Sequence, residues 1–438
     1  MDGSNLARYA AEVVDCFGHE WAAQGELLLA LATDTQAKSL PELSESAIHQ
    51  RKWGSVYKGL ERGEIHQGPL RTVNARSVPR PAPGKRLVLA ADECTIERPE
   101  APTSEDRTYV HVANRGAGES QTEPGWQYSA LAAVPDPTSS QVHFLDILRV
   151  PSTETAATVG ATQLGAILPL LSERPILLAD GKYGNAKWVK ASADLPLDQL
   201  LRIPKNRVLY REAPPRTGRP GAPRQDGTAF KCRDASTHGP PDETWTGTDH
   251  KGMLVTLDAW ENLHFQQCRS VTLCVLRRTT IDPASPDAPP ETLWCVWLGT
   301  DRPTLAELAV LYFRRFSIEH GFRFLKQRLL WDRAHVHDPP RMQRWSNIVI
   351  CAHNLLGIAL PEVGGLVHPW ESKTRPITPG QVKPALARFF ATLGSPIPAP
   401  KPRGNPLGRP FGFRPTPAPR YPVIRKSPKK PRKSRRRS

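Results

Sequence analysis

Two aspartates in the chain directly follow short apolar runs. Asp92 comes after RLVLAA at 86–91, and Asp180 comes after ILLA at 176–179. Runs of this kind predict buried strands, and a strand end holds its side chain at a crevice on a rigid support. A lone aspartate at a strand end is more often a turn or capping residue. The two positions therefore become a candidate site only in combination with other residues.

A long helix, predicted at about residues 304–330, carries the residues that complete the pattern. Four polar side chains lie at helical spacing along it: Tyr312, Arg315, Glu319 and Lys326. At about 100° per residue they share an arc of roughly 60°. An apolar row that would anchor the helix on a sheet adjoins this arc: Leu311, Ile318, Phe322, Leu325 and Leu329. A solvated face with a favourable Arg–Glu pair would also explain the polar row, but one carboxylate between two cations and a phenol, directly beside the apolar row, favours function.

Three carboxylates from two strands and one helix are suited to metal-dependent phosphate chemistry. Hard divalent cations such as Mg²⁺ take carboxylate and phosphate oxygens as ligands. Two such ions about 3.5–4 Å apart can activate an attacking oxygen and stabilise the leaving one. Arg and Lys on the same helix face would hold nearby phosphates, and the Tyr312 hydroxyl could donate a hydrogen bond to a phosphate.

The spacing on the helix resembles the Y-(2)-R-(3)-E-(6)-K motif of the IS4-like DDE transposases, which fits at all four positions. The order of Asp92, then Asp180 in ADGKYGN, then Glu319 after a β-rich segment is similar to that group. The opening ADECTIERP around Asp92 is similar to its IS701-like branch. The resemblance covers about residues 86–330.

This resemblance implies a fold, a cofactor and a set of site residues. The family has an RNase H-like fold in which a DDE trio binds two divalent metal ions, Mg²⁺ with Mn²⁺ as a substitute. Carried over by position, the residues fall into two groups: catalytic residues and metal ligands Asp92, Asp180 and Glu319, and contacts to the DNA backbone Tyr312, Arg315 and Lys326. In several relatives an aromatic side chain stacks on a flipped base. Phe316 and Trp188 are candidates, and a core role is equally open for both.

The implied activity is cut-and-paste DNA transposition. Such enzymes cut DNA at the transposon ends and join the freed 3′ ends to a target, so the implied partners are double-stranded DNA, as terminal inverted repeats and target, and a second copy of the chain in a synaptic homodimer. Two alternatives stay open. One is a catalytically inactive, transposase-derived DNA-binding protein, and the other is a metal-dependent RNase H-like nuclease that cuts without joining.

Patterning divides the chain into parts that would position this site. The predicted fold class is α/β, with an RNase H-like mixed sheet flanked by helices and interrupted by a β-rich insertion. The predicted parts are a helical DNA-end-binding domain at 1–77, the first part of the catalytic core at 85–203, the β-rich insertion at 204–292, the second part of the core with the Glu-bearing helix at 293–362, and a proline-rich tail at 372–438.

The positive charge of the chain is concentrated in this tail. The whole protein has a formal net charge of +16, yet residues 1–371 hold 41 Lys and Arg against all 43 Asp and Glu, a net charge of −2. The tail at 372–438 holds 18 Lys and Arg and 15 Pro. Its composition predicts a mostly disordered segment with one short helix at about 380–393. Its end, KSPKKPRKSRRRS at 426–438, would be a nuclear signal in a eukaryotic chain; in a bacterial chain it is interpreted as a nonspecific DNA-binding arm or a solvated tail.

Other classes of protein are disfavoured by what the sequence lacks. No run approaches the roughly 18–20 apolar residues of a membrane span, and the N-terminus has no signal-peptide pattern. We therefore expect a soluble protein without a membrane partner, cytoplasmic and nucleoid-associated in a bacterium. Seven scattered cysteines predict buried, reduced thiols. The glycine-rich segment at 114–125 lacks GK[ST], which disfavours a phosphate-binding P-loop there, and the HVHD tract at 335–338 is expected to be exposed rather than metal-binding.

Overall fold

The computed structural model of the protein describes residues 4–426 apart from 113–114, 117–118, 135–140, 216–221, 250, 286, 367, 369, 372–376, 393–407, 409 and 415. Nearly all of the predicted DNA-binding arm, at 427–438, lies outside the described residues. The parts that carry the candidate site residues are all described.

One mixed sheet forms the centre of the molecule. In the described chain its strands are β1 (Val88–Glu97), β2 (Thr108–His111), β3 (Thr122–Ala133), β4 (His143–Val150), β5 (Ile176–Ala179), β6 (Asp198–Ile203), β7 (Val208–Arg211), β8 (Ala229–Lys231), β9 (Glu243–Thr248), β10 (Leu254–Phe265), β11 (Cys268–Ile281) and β12 (Glu291–Leu298). The order is β2-β3-β1-β5-β6-β12-β11-β10-β7-β8, with β4 paired to β3 and β9 to β10. Strand β5 runs parallel to β1 and to β6, and the remaining pairs are antiparallel. The predicted mixed α/β class is confirmed, and the arrangement is compatible with an RNase H-like fold.

Helices cover both faces of this sheet. Those of the described chain are α1 (Ser4–Asp15), α2 (Trp21–Thr33), α3 (Leu40–Leu43), α4 (Gly54–Glu61), α5 (Gln67–Arg76), α6 (Ala156–Ile167), α7 (Ala186–Ser192), α8 (Leu305–Leu311), α9 (Phe316–Arg328), α10 (Pro339–Val363) and α11 (Pro379–Thr392). Two large apolar clusters form, one on each face, because successive residues of a strand point to opposite sides of the sheet. On β1, Ala90 belongs to one cluster and its neighbours Leu89 and Ala91 to the other.

The N-terminal helices are packed onto the rest of the protein. Residues of α1, α2 and α4 share one apolar cluster with β1, α9 and α10. The Tyr9 hydroxyl on α1 donates to Asn74 on α5 at 2.9 Å, and the Asn74 amide in turn donates to the Leu145 carbonyl of β4 at 3.4 Å. The helices predicted for residues 1–77 therefore pack against the same apolar core that lies on the sheet.

The predicted single helix over 304–330 is wrong in one respect. A capping box at Thr304 and Glu307 starts α8, but Tyr312–Arg315 form a 3₁₀ turn before α9 begins at Phe316. Side chains at i and i+3 eclipse in a 3₁₀ helix, and the rings of Phe313 and Phe316 are stacked with centroids 6.1 Å apart. The tighter turn therefore changes the angular positions predicted for the polar row.

The predicted strand end at Asp92 is also wrong, whereas the one at Asp180 is confirmed. Strand β1 continues to Glu97 because residues after Asp92 pair with β3, for example Glu93 with Ser129. Strand β5 stops at Ala179, and Asp180 begins the turn that follows. Asp92 thus lies in the middle of a strand, where it is paired with Ala130 of β3.

Parts of the C-terminal tail are ordered. Helix α11 confirms the short helix predicted at about 380–393, and its Val382, Ala385 and Leu386 are buried. Residues 421–426 contact the segment at 102–108, which leads into the edge strand β2, and composition did not predict this contact.

All seven cysteines are buried thiols without disulfides, as predicted.

Within the described residues one helix, α10, is long and apolar enough to cross a membrane by length and composition. However, 72% of its apolar window is buried inside the protein, as in a core helix.

Candidate active site

Asp92 and Asp180 lie side by side on adjacent parallel strands. Ala91 of β1 is in register with Ala179 of β5, and each aspartate follows directly. Residues in register on parallel neighbours point to the same face. That face is the one on which Ala90 and the apolar residues of α9 are buried. Two residues that are 88 positions apart in the sequence are therefore brought together by strand pairing alone.

Helix α9 and the 3₁₀ turn before it bring the third carboxylate to the same place. Ile318, Phe322 and Leu325 anchor α9 in the apolar cluster. The Arg315 guanidinium then donates to Oδ2 of Asp92 at 2.5 Å and to Oε1 of Glu319 at 2.7 Å. Arg315 is only 4% exposed. One buried arginine therefore links the strand carboxylate to the helix carboxylate.

The carboxylates perturb one another electrostatically. Burial raises the pKa of Asp92 to about 7; Arg315 opposes this shift, whereas the negative charges of Asp180 and Glu319 reinforce it. Burial also raises the pKa of Asp180, against the opposing effects of the Lys182 backbone N–H and of Arg315. Buried like charges favour protonation unless a cation compensates them. We refer to Asp92, Asp180 and Glu319 as the carboxylate cluster.

Two cations that the sequence did not single out border this cluster. Lys182, in the turn after Asp180, forms an ion pair with Glu93, and its charge lowers the pKa of Asp92. Arg202 on β6 follows Leu201, which is in register with Ala179, so Arg202 stands beside Asp180 on the same face. Arg202 is exposed, and its charge lowers the pKa of Asp180. Arg202 could be found only from the register, because an arginine at the end of a short strand is common.

Two of the three residues carried over as DNA contacts donate hydrogen bonds within the protein, and the third, Tyr312, has the Arg315 guanidinium over its ring, 5.7 Å from the centroid. Arg315 is used by the two carboxylates, and the Lys326 ammonium donates to the Thr95 carbonyl at 2.7 Å. Tyr312 is 2% exposed, and burial raises its pKa to about 12, although the charge of Arg315 opposes the shift. All three belong to the segment that bears Glu319. A contact with a phosphate would require Arg315 and Lys326 to change partners and Tyr312 to become accessible.

The two aromatic candidates differ in exposure. Phe316 is 38% exposed, and the Arg315 guanidinium lies over its ring, 4.8 Å from the centroid. Trp188 is 1% exposed, and its indole N–H donates to Gln199 at 2.8 Å. Trp188 is therefore a core residue in this structure, while Phe316 is accessible at the rim of the carboxylate cluster.

The cluster offers the right donor atoms for a hard divalent cation. Carboxylate oxygens are the ligands that Mg²⁺ prefers, and a bound cation would offset the burial and the neighbouring negative charges that raise the pKa of Asp92 and Asp180. In this structure Arg315 takes the compensating role between Asp92 and Glu319. Across the part of the chain that the structure describes, no set of three or more His, Cys, Asp or Glu side chains is already arranged to hold a metal ion. The donor set fits a metal, provided that Arg315 gives up its contacts.

The fold and this cluster have the features of a nuclease-type enzyme, and comparison with known families agrees. The model of a family described as DDE superfamily endonuclease matches residues 12–263, more than half of the chain. The protein therefore belongs to the DDE superfamily endonucleases, which act on DNA and use divalent metal ions. The matched span contains Asp92 and Asp180 and ends before Glu319. A comparison with curated protein sequences gives no match.

Proposed function

We propose that this protein is a DDE-type DNA transposase of the IS4-like group that cuts DNA at transposon ends and joins the freed 3′ ends to target DNA. The observation that carries the proposal is the meeting of Asp92, Asp180 and Glu319 on one face of the sheet, with Arg315 between two of them. Family membership supplies the general chemistry. The four-residue motif on α9 and the turn before it supports the assignment to this group.

In this proposal the carboxylate cluster holds two Mg²⁺ ions, for which Mn²⁺ is a substitute. Bound there, the ions would activate the attacking oxygen and stabilise the leaving one. Arg315 would keep Asp92 and Glu319 in position before metal and DNA arrive. The charge on the buried Asp92 carboxylate would otherwise be uncompensated, which is costly.

The cations around the cluster would hold the DNA backbone. Arg202 and Lys182 are exposed and border the carboxylates, so they are placed to contact phosphates as DNA enters. Arg315 and Lys326 would join them once the carboxylates bind metal, and Tyr312 would donate from the same turn. The proposed DNA-end-binding part is the helical segment 1–77, and pairing of two ends implies a homodimer on DNA.

The test is cleavage and strand transfer on a labelled duplex that carries the inverted repeat from the flanks of the gene, with Mg²⁺ or Mn²⁺. Glu319→Gln keeps the size of the side chain and should abolish both products. His320→Gln, at the adjacent exposed position, is the matched control and should retain both. If Glu319→Gln joins ends as well as the unmodified protein does, the assignment of the third carboxylate is wrong.

A metal-dependent nuclease is the second candidate, since the family description names endonuclease activity. Cut products that are never joined to a second DNA molecule would favour it. A chain that binds the same DNA but cuts none of it would favour a transposase-derived DNA-binding protein. Joined products exclude both alternatives.

A further inference from the structure

The charge of the N-terminal helical part is distributed unevenly along its sequence. Residues 1–49 hold eight Asp and Glu against two Lys and Arg, whereas residues 50–62 hold four Lys and Arg against one Glu. The second of these segments contains α4 and the loop that leads into it. A polyanion that approaches the N-terminal helices therefore meets favourable charge mainly around α4.

The cations around α4 are exposed and uncompensated. The residues that α4 buries against the rest of the protein are Val56, Gly59 and Leu60. Lys52, Lys58 and Arg62 are exposed instead. Among the described residues, no side chain forms a hydrogen bond or an ion pair with the charged groups of these three. Their charges are therefore available to a partner.

Carboxylates of the same region are paired with other residues. Glu61 of α4 accepts a hydrogen bond from the Arg341 guanidinium at 3.0 Å. Glu26 of α2 forms ion pairs with Arg51 and, when its ring is protonated, with His49. These pairs leave the positive charge of Lys52, Lys58 and Arg62 as the excess on this surface.

An exposed aromatic ring and an open glycine lie next to Lys52. Trp53 is 41% exposed, and its ring meets the Tyr57 ring edge to face with the centroids 6.2 Å apart. A Cβ at Gly54 would have no other part of the protein within 4 Å, so internal packing does not require a glycine there. A glycine does allow the backbone of another molecule to approach closely. We refer to these five residues as the α4 face: Lys52, Trp53, Gly54, Lys58 and Arg62.

The core helix α10 holds the end of α4. The Arg344 guanidinium donates to the carbonyls of Leu60 and Glu61, at 2.7 and 2.9 Å. Carbonyls in the last turn of a helix have no partner within that helix, so these bonds attach α4 directly to α10. The α4 face is therefore presented in a fixed orientation relative to the core, and its backbone needs no ordering on binding.

We propose that the α4 face binds the phosphate backbone of duplex DNA. This inference rests on the proposed action on DNA, and it narrows the DNA-end-binding segment at 1–77 to one surface. Lys52, Lys58 and Arg62 each contact a phosphate, Arg62 through two parallel hydrogen bonds and the lysines as point charges. Trp53 packs against the sugars, and the open position at Gly54 leaves room for the DNA strand.

The experiment measures dissociation constants of full-length proteins over a range of salt concentrations. One duplex carries the inverted repeat, and a second has a scrambled sequence of the same length and composition. Lys52→Gln/Lys58→Gln/Arg62→Gln removes the three cations of the α4 face. Melting temperature verifies the fold of every variant, and the molecular mass in solution without DNA is measured for each.

Two matched controls separate the α4 face from general surface effects. Lys231→Gln/Arg233→Gln/Lys251→Gln removes the same residue types at exposed positions between β8 and β10. Gly54→Gln adds a neutral side chain to the α4 face. Its control is Gly68→Gln on α5, where the glycine is exposed and a Cβ would likewise have no other part of the protein within 4 Å.

The triple variant of the α4 face should bind at least about tenfold more weakly at about 50 mM salt and have a salt slope flatter by up to about 2.7, at roughly 0.9 per phosphate contact. The loss should be the same on both duplexes, because phosphates carry no sequence information. The triple control should keep the salt slope of the unmodified protein. Gly54→Gln should weaken binding without lowering the melting temperature, and Gly68→Gln should bind like the unmodified protein.

Several results would overturn the proposal. Equal salt slopes for the two triple variants would show that the α4 face makes no placed phosphate contacts, and a loss confined to the inverted repeat would show that it reads bases instead. A lower mass of the α4-face triple variant without DNA would assign the surface to a second copy of the chain. A protein that cuts neither duplex, yet loses affinity in the α4-face variant as described, would contradict the proposed function and support the α4 face.

Discussion

Asp146 and Asp92 are both buried aspartates that face an arginine, and their surroundings differ. Asp146 on β4 is fully buried and accepts hydrogen bonds from several donors: Gln67 Nε2 at 2.6 Å, Arg71 Nε and NH2 at 3.1 and 2.9 Å, and Gln163 Nε2 at 3.2 Å. These donors come from α5 and α6, so Asp146 ties both helices to the sheet. A buried carboxylate with this many donors is a structural element.

Asp92 has fewer donors and more negative neighbours. Its arginine, Arg315, is shared with Glu319, and the negative charges of Asp180 and Glu319 act on it. The pKa of Asp92 is accordingly raised to about 7, chiefly by burial. Proteins position under-compensated carboxylates of this kind where a ligand completes the charge balance. Asp92 and Asp146 share burial and an arginine partner, so the ratio of like charges to hydrogen-bond donors is what distinguishes them.

The largest predicted effect is on chemistry at the carboxylate cluster. Asp180→Asn should lower the cleavage rate by at least about 10²–10³-fold, since preorganised charge at a reacting phosphate contributes on this scale. The melting temperature should stay the same or rise, because one of three like charges is removed. Asp194→Asn, at an exposed position, is the control for a neutralised surface aspartate. Unimpaired cleavage by Asp180→Asn would remove Asp180 from the site.

At Asp146 we expect a loss of stability without a loss of activity. Asp146→Asn leaves the partly buried Arg71 without its bidentate partner and should cost about 3 kcal/mol of unfolding free energy. Denaturant titration measures this loss. Cleavage per folded molecule should not change, because Asp146 belongs to the anchor of α5 and α6 rather than to the cluster. A loss of activity at full stability would show that the comparison is wrong.

Two buried histidines outside the carboxylate cluster should make the stability of the fold sensitive to acid. Burial lowers the pKa of His143 to about 4 and that of His353 to about 3. Both rings are neutral in the folded and the unfolded chain above pH 6.5. As the pH falls below about 6.5, the unfolded chain takes up protons that the folded chain does not, so stability is present above that pH and is lost down to about pH 4. For His143 alone the loss is about 3 kcal/mol.

Melting temperatures measured from pH 7.5 to 4 test this expectation. His353→Phe keeps a planar ring between Phe144 and Phe324 and should flatten the decline. His335→Phe, at an exposed position, should leave the decline unchanged. Equal slopes for the unmodified protein and His353→Phe would contradict a contribution from this buried histidine.

The stabilisation of the fold by Mg²⁺ should distinguish Asp180 from Asp146 without a cleavage assay. Mg²⁺ at about 100 times its dissociation constant should stabilise the fold by about 2.7 kcal/mol, because it binds the folded state. The gain should be lost in Asp180→Asn and retained in Asp146→Asn, and a chelator should reverse it. A gain of equal size in Asp180→Asn would mean that the ion binds elsewhere.

The smallest effect is expected at Arg202. Arg202→Ala should weaken DNA binding about tenfold, or about 1.4 kcal/mol, and reduce the salt slope by roughly 0.9. Its exposure predicts no change in melting temperature. Arg233→Ala, an exposed arginine outside the site, is the control. Equal losses for both variants would show that Arg202 contributes general charge rather than a placed contact.

Local sequence patterns determined several elements of this protein. Short apolar runs predicted β5 and the first half of β1, and a helical row of side chains placed Glu319 one turn from Arg315. These are properties of neighbouring residues, so periodicity and side-chain type were sufficient. The continuation of β1 past Asp92 was missed because it depends on pairing with β3. The 3₁₀ turn at Tyr312–Arg315 was missed as well. Aromatic rings pack against each other at this turn, and helical propensity does not account for such packing.

By itself, the sequence determined which residue types carry the chemistry, and its resemblance to a family suggested which three carboxylates to consider. Only the tertiary structure decided that Asp92 and Asp180 are neighbours, that Arg202 stands beside them, and that Arg315 joins Asp92 to Glu319. The same is true of the contact that residues 421–426 make with the segment at 102–108. Strand register and edge pairing join segments that are far apart in the chain, and the free energy of these contacts depends on partners that no local pattern contains.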